Sequence, residues 1–180
     1  HLRGYQSSHP VRIGNAASAQ FQLDVYGEVM DALHLARKVG VQPGPDSWSL
    51  QRHLVAFVVE HWDEPDEGIW EIRGPRRHFT HSKIMAWVAL DRAVKAVEQF
   101  GLDGPVETWR EIRQAIHDDV CARGYNAERK VFTQCYGSEL LDASVLMMPL
   151  VGFLPPQDPR VISTVEAIQR DLVTDGLVRR

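Results

Sequence analysis

Cysteine is nearly absent from this chain, and the pair that does occur, Cys121 and Cys135, fits neither a redox nor a zinc-binding spacing. That excludes a disulfide framework and sets reduced thiols in a cytoplasmic protein as the default. Basic residues are not in excess either: 20 Lys and Arg face 24 Asp and Glu, for a formal charge of −4 and a pI near 6.1. Nucleic acid or an anionic membrane therefore finds no electrostatic footing, and neither is expected as a partner. The chain has no secretory-leader pattern, and nothing approaches the roughly 20 apolar residues of a membrane-spanning helix. It also has no initiator methionine. It opens on His1-Leu2-Arg3-Gly4-Tyr5 and stops at Arg179-Arg180, and so reads as an excised piece, cut at both ends. No sequence repeats at a fixed period, which argues against a plain helical-repeat scaffold.

What is present is helical periodicity, in six segments. From Ala19 to Val39, Leu23, Tyr26, Met30 and Leu33 recur at steps of three and four, so they share one helix face. A second segment runs from Ser47 to Trp62, with Asp46 or Ser47 suited to cap it and Pro65 to end it. His81 to Phe100 and Val106 to Ala122 follow, stopped by Gly101 and Gly124. Leu140 to Leu150 is the fifth, with Pro149 expected to break its end, and Asp158 to Leu172 the sixth, with Gly176 after it. One short strand, Val131 to Tyr136, competes with this all-α reading.

The connections alternate. Those at 40–46, 101–105 and 152–157 are short, whereas 63–80 and 124–138 are long. Every second connection of an up-and-down helical array lies at the same end. The long loops, the leading segment 1–17 and the tail after Leu172 are therefore expected to converge, bringing Tyr5, Arg12, Asn15, Glu67 to Lys83, Tyr125 to Gln134, Arg179 and Arg180 to one end. Function tends to sit on such loops.

The first long loop carries the densest chemistry: Asp66-Glu67-Gly68-Ile69-Trp70-Glu71-Ile72-Arg73 puts carboxylates, an indole and a guanidinium into eight residues. Glycosidic cleavage needs a carboxylic acid to protonate the leaving oxygen, and sugars are held by aromatic faces and forked polar side chains. Glu71 fits the acid, and its plainer alternative is a surface ion pair with Arg73 or Arg76. Such an acid needs a raised proton affinity, from burial or from a carboxylate such as Glu67 or Asp66. Those two could equally serve as caps. Trp70 is a sugar platform or a core residue. Arg12 and Arg73 either grip hydroxyls or brace carboxylates such as Glu71, Asp24 and Glu28. His78 and His81 lack a third ligand at metal spacing, so loop hydrogen bonding is expected of them and no metal. Asp91-Arg92 and Asp142 read as structural anchors, and Asp24, Tyr26 and Glu28 as packing against the loop end.

Several blocks together resemble the catalytic domain of glycoside hydrolase family 15, the glucoamylase-type family that includes bacterial trehalases. They are Gly4-Tyr5 with Pro10-Val11-Arg12-Ile13-Gly14-Asn15, then Gln22 to Glu28, Asp66 to Arg73, and His78-Phe79-Thr80-His81-Ser82-Lys83. Ala86 to Arg92 and Leu141-Asp142-Ala143-Ser144 complete the set. The resemblance implies an (α/α)6 toroid of twelve helices, of which residues 1–180 form about half of a single catalytic domain. It implies exo-acting, inverting hydrolysis of α-glucosides: malto- or isomalto-oligosaccharides, or trehalose. Glu71 aligns with the general acid, Trp70 with the wall of the terminal glucose subsite, and Arg180 with a glucose-binding arginine. Tyr5 and Arg12 resemble an aromatic and an arginine near the cleavage point, although Ser7-Ser8-His9 stands where the family form is richer in glycine. Glu67 and Arg73 are counted as substrate-binding with them. The general base is implied to lie beyond residue 180, so the 180 residues alone are expected to be inactive. No cofactor is implied, apart from the phosphate and magnesium dependence of some trehalases of this family. The rival class is a non-catalytic toroid that serves as a sugar-sensing or regulatory module, from which an intact Glu71 loop argues away.

Overall fold

The computed structural model describes residues 4–11, 14, 20–41, 44, 46–72 and 74–179. Its helices are α1 (Asp24–Lys38), α2 (Ser47–His61), α3 (Thr80–Phe100), α4 (Val106–Asp119), α5 (Met147–Leu150) and α6 (Pro159–Leu172). Among the described residues the only strands are two-residue pairs: β1 (Tyr125–Asn126) with β2 (Val131–Phe132), and β3 (Val173–Thr174) with β4 (Leu177–Val178). Tyr125 faces Phe132 in the first hairpin and Val173 faces Val178 in the second. The all-α reading therefore holds.

α3 is the axis of the molecule. A helix that is apolar on nearly every face must be surrounded, and Ile84, Met85, Val88, Leu90, Ala93 and Val94 are all fully buried. It packs chiefly against α1 and α4, and less extensively against α2. α1 approaches so closely because of Gly27, where a Cβ would fall 2.1 Å from the Met85 carbonyl oxygen. Asp91 and Arg92 are the anchors expected of them. Arg92 pairs with Asp91, donates through Nε to Asp31 Oδ1 (2.7 Å) and through Nη2 to the Val151 carbonyl (2.9 Å), while Arg113 of α4 reaches Asp91 Oδ1 at 3.1 Å. One buried network thus ties α1, α3, α4 and the residue after α5 together.

Two expected boundaries move. α1 begins at Asp24 rather than Ala19, because residues 20–23 are non-helical and Phe21 and Leu23 are hydrogen-bonded to Glu67 and Asp66 of the first long loop. The fifth segment is not a helix from Leu140. Asp142 is extended, its Oδ1 accepts from the Ser144 N–H (2.8 Å), and only then does a 3-10 turn (Ala143–Leu146) lead into α5, which contains Pro149. α6 starts as its sequence suggests, with Asp158 Oδ1 accepting from the Arg160 N–H (2.9 Å) and Pro159 at the first helical position.

Candidate active site

The first long loop is closed at its neck by backbone pairing: Asp66 N–H donates to the Arg77 carbonyl (2.9 Å) and Arg77 N–H to that of Asp66 (3.0 Å). Beneath it the fully buried Lys83 donates to the carbonyls of Trp62 (2.5 Å) and Glu64, fixing the exit from α2. The buried Asp66 carboxylate accepts from the Leu23 N–H at 3.1 Å. Glu67 is engaged at both oxygens, accepting from the Phe21 N–H (2.6 Å) and from Arg76 Nε (3.0 Å), while its own N–H meets the Phe21 carbonyl (2.9 Å). Asp66 and Glu67 therefore staple residues 21–23 to the loop.

A tight turn follows. Gly68 has φ +69°, and a Cβ there would sit 2.7 Å from the Phe79 ring, so both handedness and space demand glycine. Glu71 N–H closes the turn on the Gly68 carbonyl (3.1 Å), and Glu71 itself is left-handed at φ +48°. Side chains other than glycine seldom occupy that region, and they persist there where surrounding contacts over-determine the backbone. The Glu71 side chain is exposed, and among the described residues its carboxylate makes no hydrogen bond or ion pair. The expected alternative partner Arg76 is taken by Glu67.

The second long loop braces the first. Phe79 bridges to Cys135, Thr80 N–H donates to the Gln134 carbonyl (3.0 Å), Tyr136 N–H donates to the His78 carbonyl (2.9 Å), and the His78 and Tyr136 rings stack at 5.7 Å. Between these loops lies an open groove of about 550 Å³ lined by Arg76, Arg77, His78, Cys135, Tyr136 and their neighbours. At the tip, the half-buried Trp70 donates its indole N–H to Asp142 Oδ2 at 2.8 Å, and Gln134 Nε2 donates to the same oxygen at 3.0 Å.

Burial sets the electrostatics below the turn. It raises the Asp66 carboxyl, and it raises Asp24 to about 6 with help from the charges of Asp66 and Glu28. It also lowers Lys83 to about 8 against the pull of Asp66, Asp119 and Asp63. His81, 2% exposed at the start of α3, is lowered to about 4 by burial although Asp142 opposes this, so its ring is neutral near pH 7. Among the described residues no group of three or more His, Cys, Asp or Glu could hold a metal.

The convergence expected of the loops is found for 63–80 and 124–138, and residues 20–23 join them. Tyr5 is 87% exposed in a short 3-10 turn, and Arg179 stays with its own hairpin, its N–H donating to the Leu172 carbonyl (2.8 Å). Arg12, Asn15, Arg73 and Arg180 lie outside the described residues. Sequence reasoning missed the clasp of Gln134 and Asp142 on Trp70. The available signal was Asp142 as a helix-start residue opposite a long aromatic loop, too weak to suggest its partner.

A helical array with long, cross-braced loops gathered at one end has the form of a glycosidase toroid. A solved structure entitled as a wild-type glycosidase superposes with a TM-score of 0.80 at 22% identity, covering 94% of this chain and 45% of that one. The fold is accordingly about half of an (α/α)6 toroid. The family model described as glycosyl hydrolases family 15 matches residues 1–180, and the chain belongs to that family. The trehalases of Mycobacterium tuberculosis and Mycolicibacterium smegmatis are 47% and 48% identical over all 180 residues, and a Thermoplasma acidophilum trehalase is 37% identical over 179. The chain spans about a quarter of the length of the two mycobacterial relatives, 26% and 27%.

Proposed function

We propose that the protein carrying this chain is an exo-acting, inverting α-glucoside hydrolase in which Glu71 protonates the glycosidic oxygen. The observation that carries the reading is the division of labour in the loop. Asp66 and Glu67 are committed to backbone N–H groups, while Glu71, on a left-handed turn beside Trp70, presents an exposed carboxyl that is unbonded among the described residues. Family membership supports the chemistry, and relatives named trehalase support trehalose as the first substrate to try, ahead of maltose- and isomaltose-like sugars. Inversion requires a second carboxylate about 6.5–9.5 Å from the acid, with a water between it and the sugar. We assign that base to residues beyond 180, as the family resemblance implies. Trp70 walls the terminal glucose, with Tyr5, Arg12, Arg73 and Arg180 as further sugar contacts. The paired carboxyls do the chemistry without a redox or group-transfer cofactor, phosphate and magnesium being tested as additions. The two free thiols agree with a reducing cytoplasm, where we place the protein.

The test is glucose release by the full-length protein from trehalose, maltose and isomaltose, beside Glu71→Gln, with NMR of the anomer formed. The wild type is expected to deliver one β-glucose for each bond cleaved. The amide cannot donate a mobile proton, so Glu71→Gln should lower turnover about 100- to 10,000-fold. Unchanged turnover in the variant would move the acid elsewhere.

A further inference from the structure

The turn that presents Glu71 is held at its tip, through Trp70, by a residue 72 positions further along the chain. Asp142 is 2% exposed, and both of its oxygens are occupied. Oδ1 caps the 3-10 turn by accepting from the Ser144 N–H at 2.8 Å, and Oδ2 accepts at once from Trp70 Nε1 (2.8 Å) and Gln134 Nε2 (3.0 Å). Gln134 in turn receives the first N–H of α3 through its carbonyl, Thr80 N–H donating at 3.0 Å. Asp142 therefore joins the second loop, the start of α3 and the indole next to Glu71. A carboxylate that accepts from an indole N–H fixes the direction of the N–H bond and with it the plane of the ring.

We propose that Asp142 is a positioning residue for the proposed hydrolysis, setting the plane of Trp70 and thereby the left-handed turn that aims Glu71. The proposal rests on the reading of Glu71 as the general acid. Its chemistry is specific to a carboxylate. All three groups facing Asp142 are N–H donors, and an asparagine has one acceptor oxygen and one NH2 group. Whichever way the amide turns, it sets N–H against N–H, either at Ser144 or at the Trp70 side. Asp142→Asn thus keeps the shape but cannot hold the Ser144 cap and the Trp70 clasp at the same time. Among the described residues the buried, neutral His81 beneath has neither ring nitrogen hydrogen-bonded, which leaves that side with no charge to replace the carboxylate.

The experiment uses full-length protein labelled with 5-fluorotryptophan, its Trp70 19F resonance assigned by loss in Trp70→Phe, with trehalose as the kinetic probe. Asp142→Asn should move the Trp70 resonance and lower kcat about 10- to 100-fold, the size of effect expected from misplacement by about 1 Å. In the Trp70→Phe background the same change should lower kcat by less than about threefold, because residues acting as a unit are not additive. An unmoved resonance with unchanged kcat overturns the proposal, as does a loss that multiplies fully with that of Trp70→Phe. If Asp142→Asn does not accumulate as folded protein, Trp70→Phe carries the test: it keeps a ring and removes the N–H, and full turnover by it overturns the proposal. The two readings separate through Glu71→Gln. Turnover retained in Glu71→Gln but lost in Asp142→Asn refutes the acid and leaves the clasp standing, while the reverse pattern with an unmoved resonance refutes the clasp alone.

Discussion

Gly27→Ala is a sharp test of how α1 is seated on α3, because two opposing terms of known size meet there. In an open helix interior, replacing glycine by alanine stabilises by about 1 kcal/mol through backbone entropy. At Gly27 the new Cβ would lie 2.1 Å from the Met85 carbonyl oxygen, 2.6 Å from its carbon and 2.8 Å from its Cβ. Carbon–oxygen contacts settle at about 3.3–3.6 Å, so α1 must move away from the axial helix by about 1 Å. The obstacle is backbone of a fully buried residue, and no side-chain rotation relieves it. Overpacking of this kind costs about 1–3 kcal/mol, occasionally more, and the separation also loosens the contacts of Met30 and Leu23. The overlap should win, leaving the variant about 2 kcal/mol less stable. Thermal unfolding of the full-length protein by circular dichroism should show a loss of several degrees, with Ala32→Gly on the exposed face of the same helix giving the ordinary loss of about 1 kcal/mol. If Gly27→Ala is neutral or stabilising, the seating of α1 described here is wrong.

Two further predictions concern the ground beneath the turn. Asp24 is held at about 6 against an ordinary 3.8, so its ionisation costs the folded state about 3 kcal/mol. The folded protein binds the extra proton between those values, so the cost is absent below pH 4, grows as the pH rises and is complete above 6. Asp24→Asn should be more stable than the parent at pH 7, by about 2 kcal/mol once the lost charge at the start of α1 is discounted, with the difference closing by pH 4. A pH-independent difference in melting temperature would refute the assignment. Gly68→Ala should lower kcat about 10-fold or more, because it combines a left-handed alanine, about 1–2 kcal/mol, with displacement of the Phe79 ring under the turn. Gly137→Ala, left-handed at φ +71° with open space around it, should show the strain in its melting temperature and leave kcat unchanged. Equal kcat for the two variants would remove Phe79 from the account.

Helix spacing was legible wherever one face of the sequence is apolar, and α2, α3 and α4 begin within a residue or two of their expected starts. The misread parts were those in which a distant partner overrides a local pattern. Residues 20–23 continue the periodicity of α1, yet the N–H groups of Phe21 and Leu23 are bound by Glu67 and Asp66, and the segment stays out of the helix. Leu140 to Leu150 is apolar enough for a helix, but Asp142 lies extended at its cap and only the last turns form. In the tail, the signal was present and was given the wrong weight. Asp175-Gly176 between Val173-Thr174 and Leu177-Val178 is a hairpin pattern, and both turn residues have positive φ, 53° and 78°, although the glycine alone reads as a helix stop.

The candidate site shows the same limit more sharply. Asp66, Glu67 and Glu71 are chemically alike in the sequence, and nothing local says which carboxylate stays open. What divides them is the path of residues 21–23, which lie 43 and 46 positions away along the chain at the two hydrogen bonds concerned. Had that stretch of backbone run elsewhere, the buried Asp66 would lose the Leu23 N–H and Glu67 the Phe21 N–H. Burial without hydrogen bonds is far more costly for a carboxylate than exposure to water, so a chain that keeps Asp66 in its core must bring N–H groups to it. The stretch 21–23 is therefore an energetic requirement of the loop rather than a tether. Its docking leaves Glu71 as the carboxylate of the three that is free to approach a sugar oxygen.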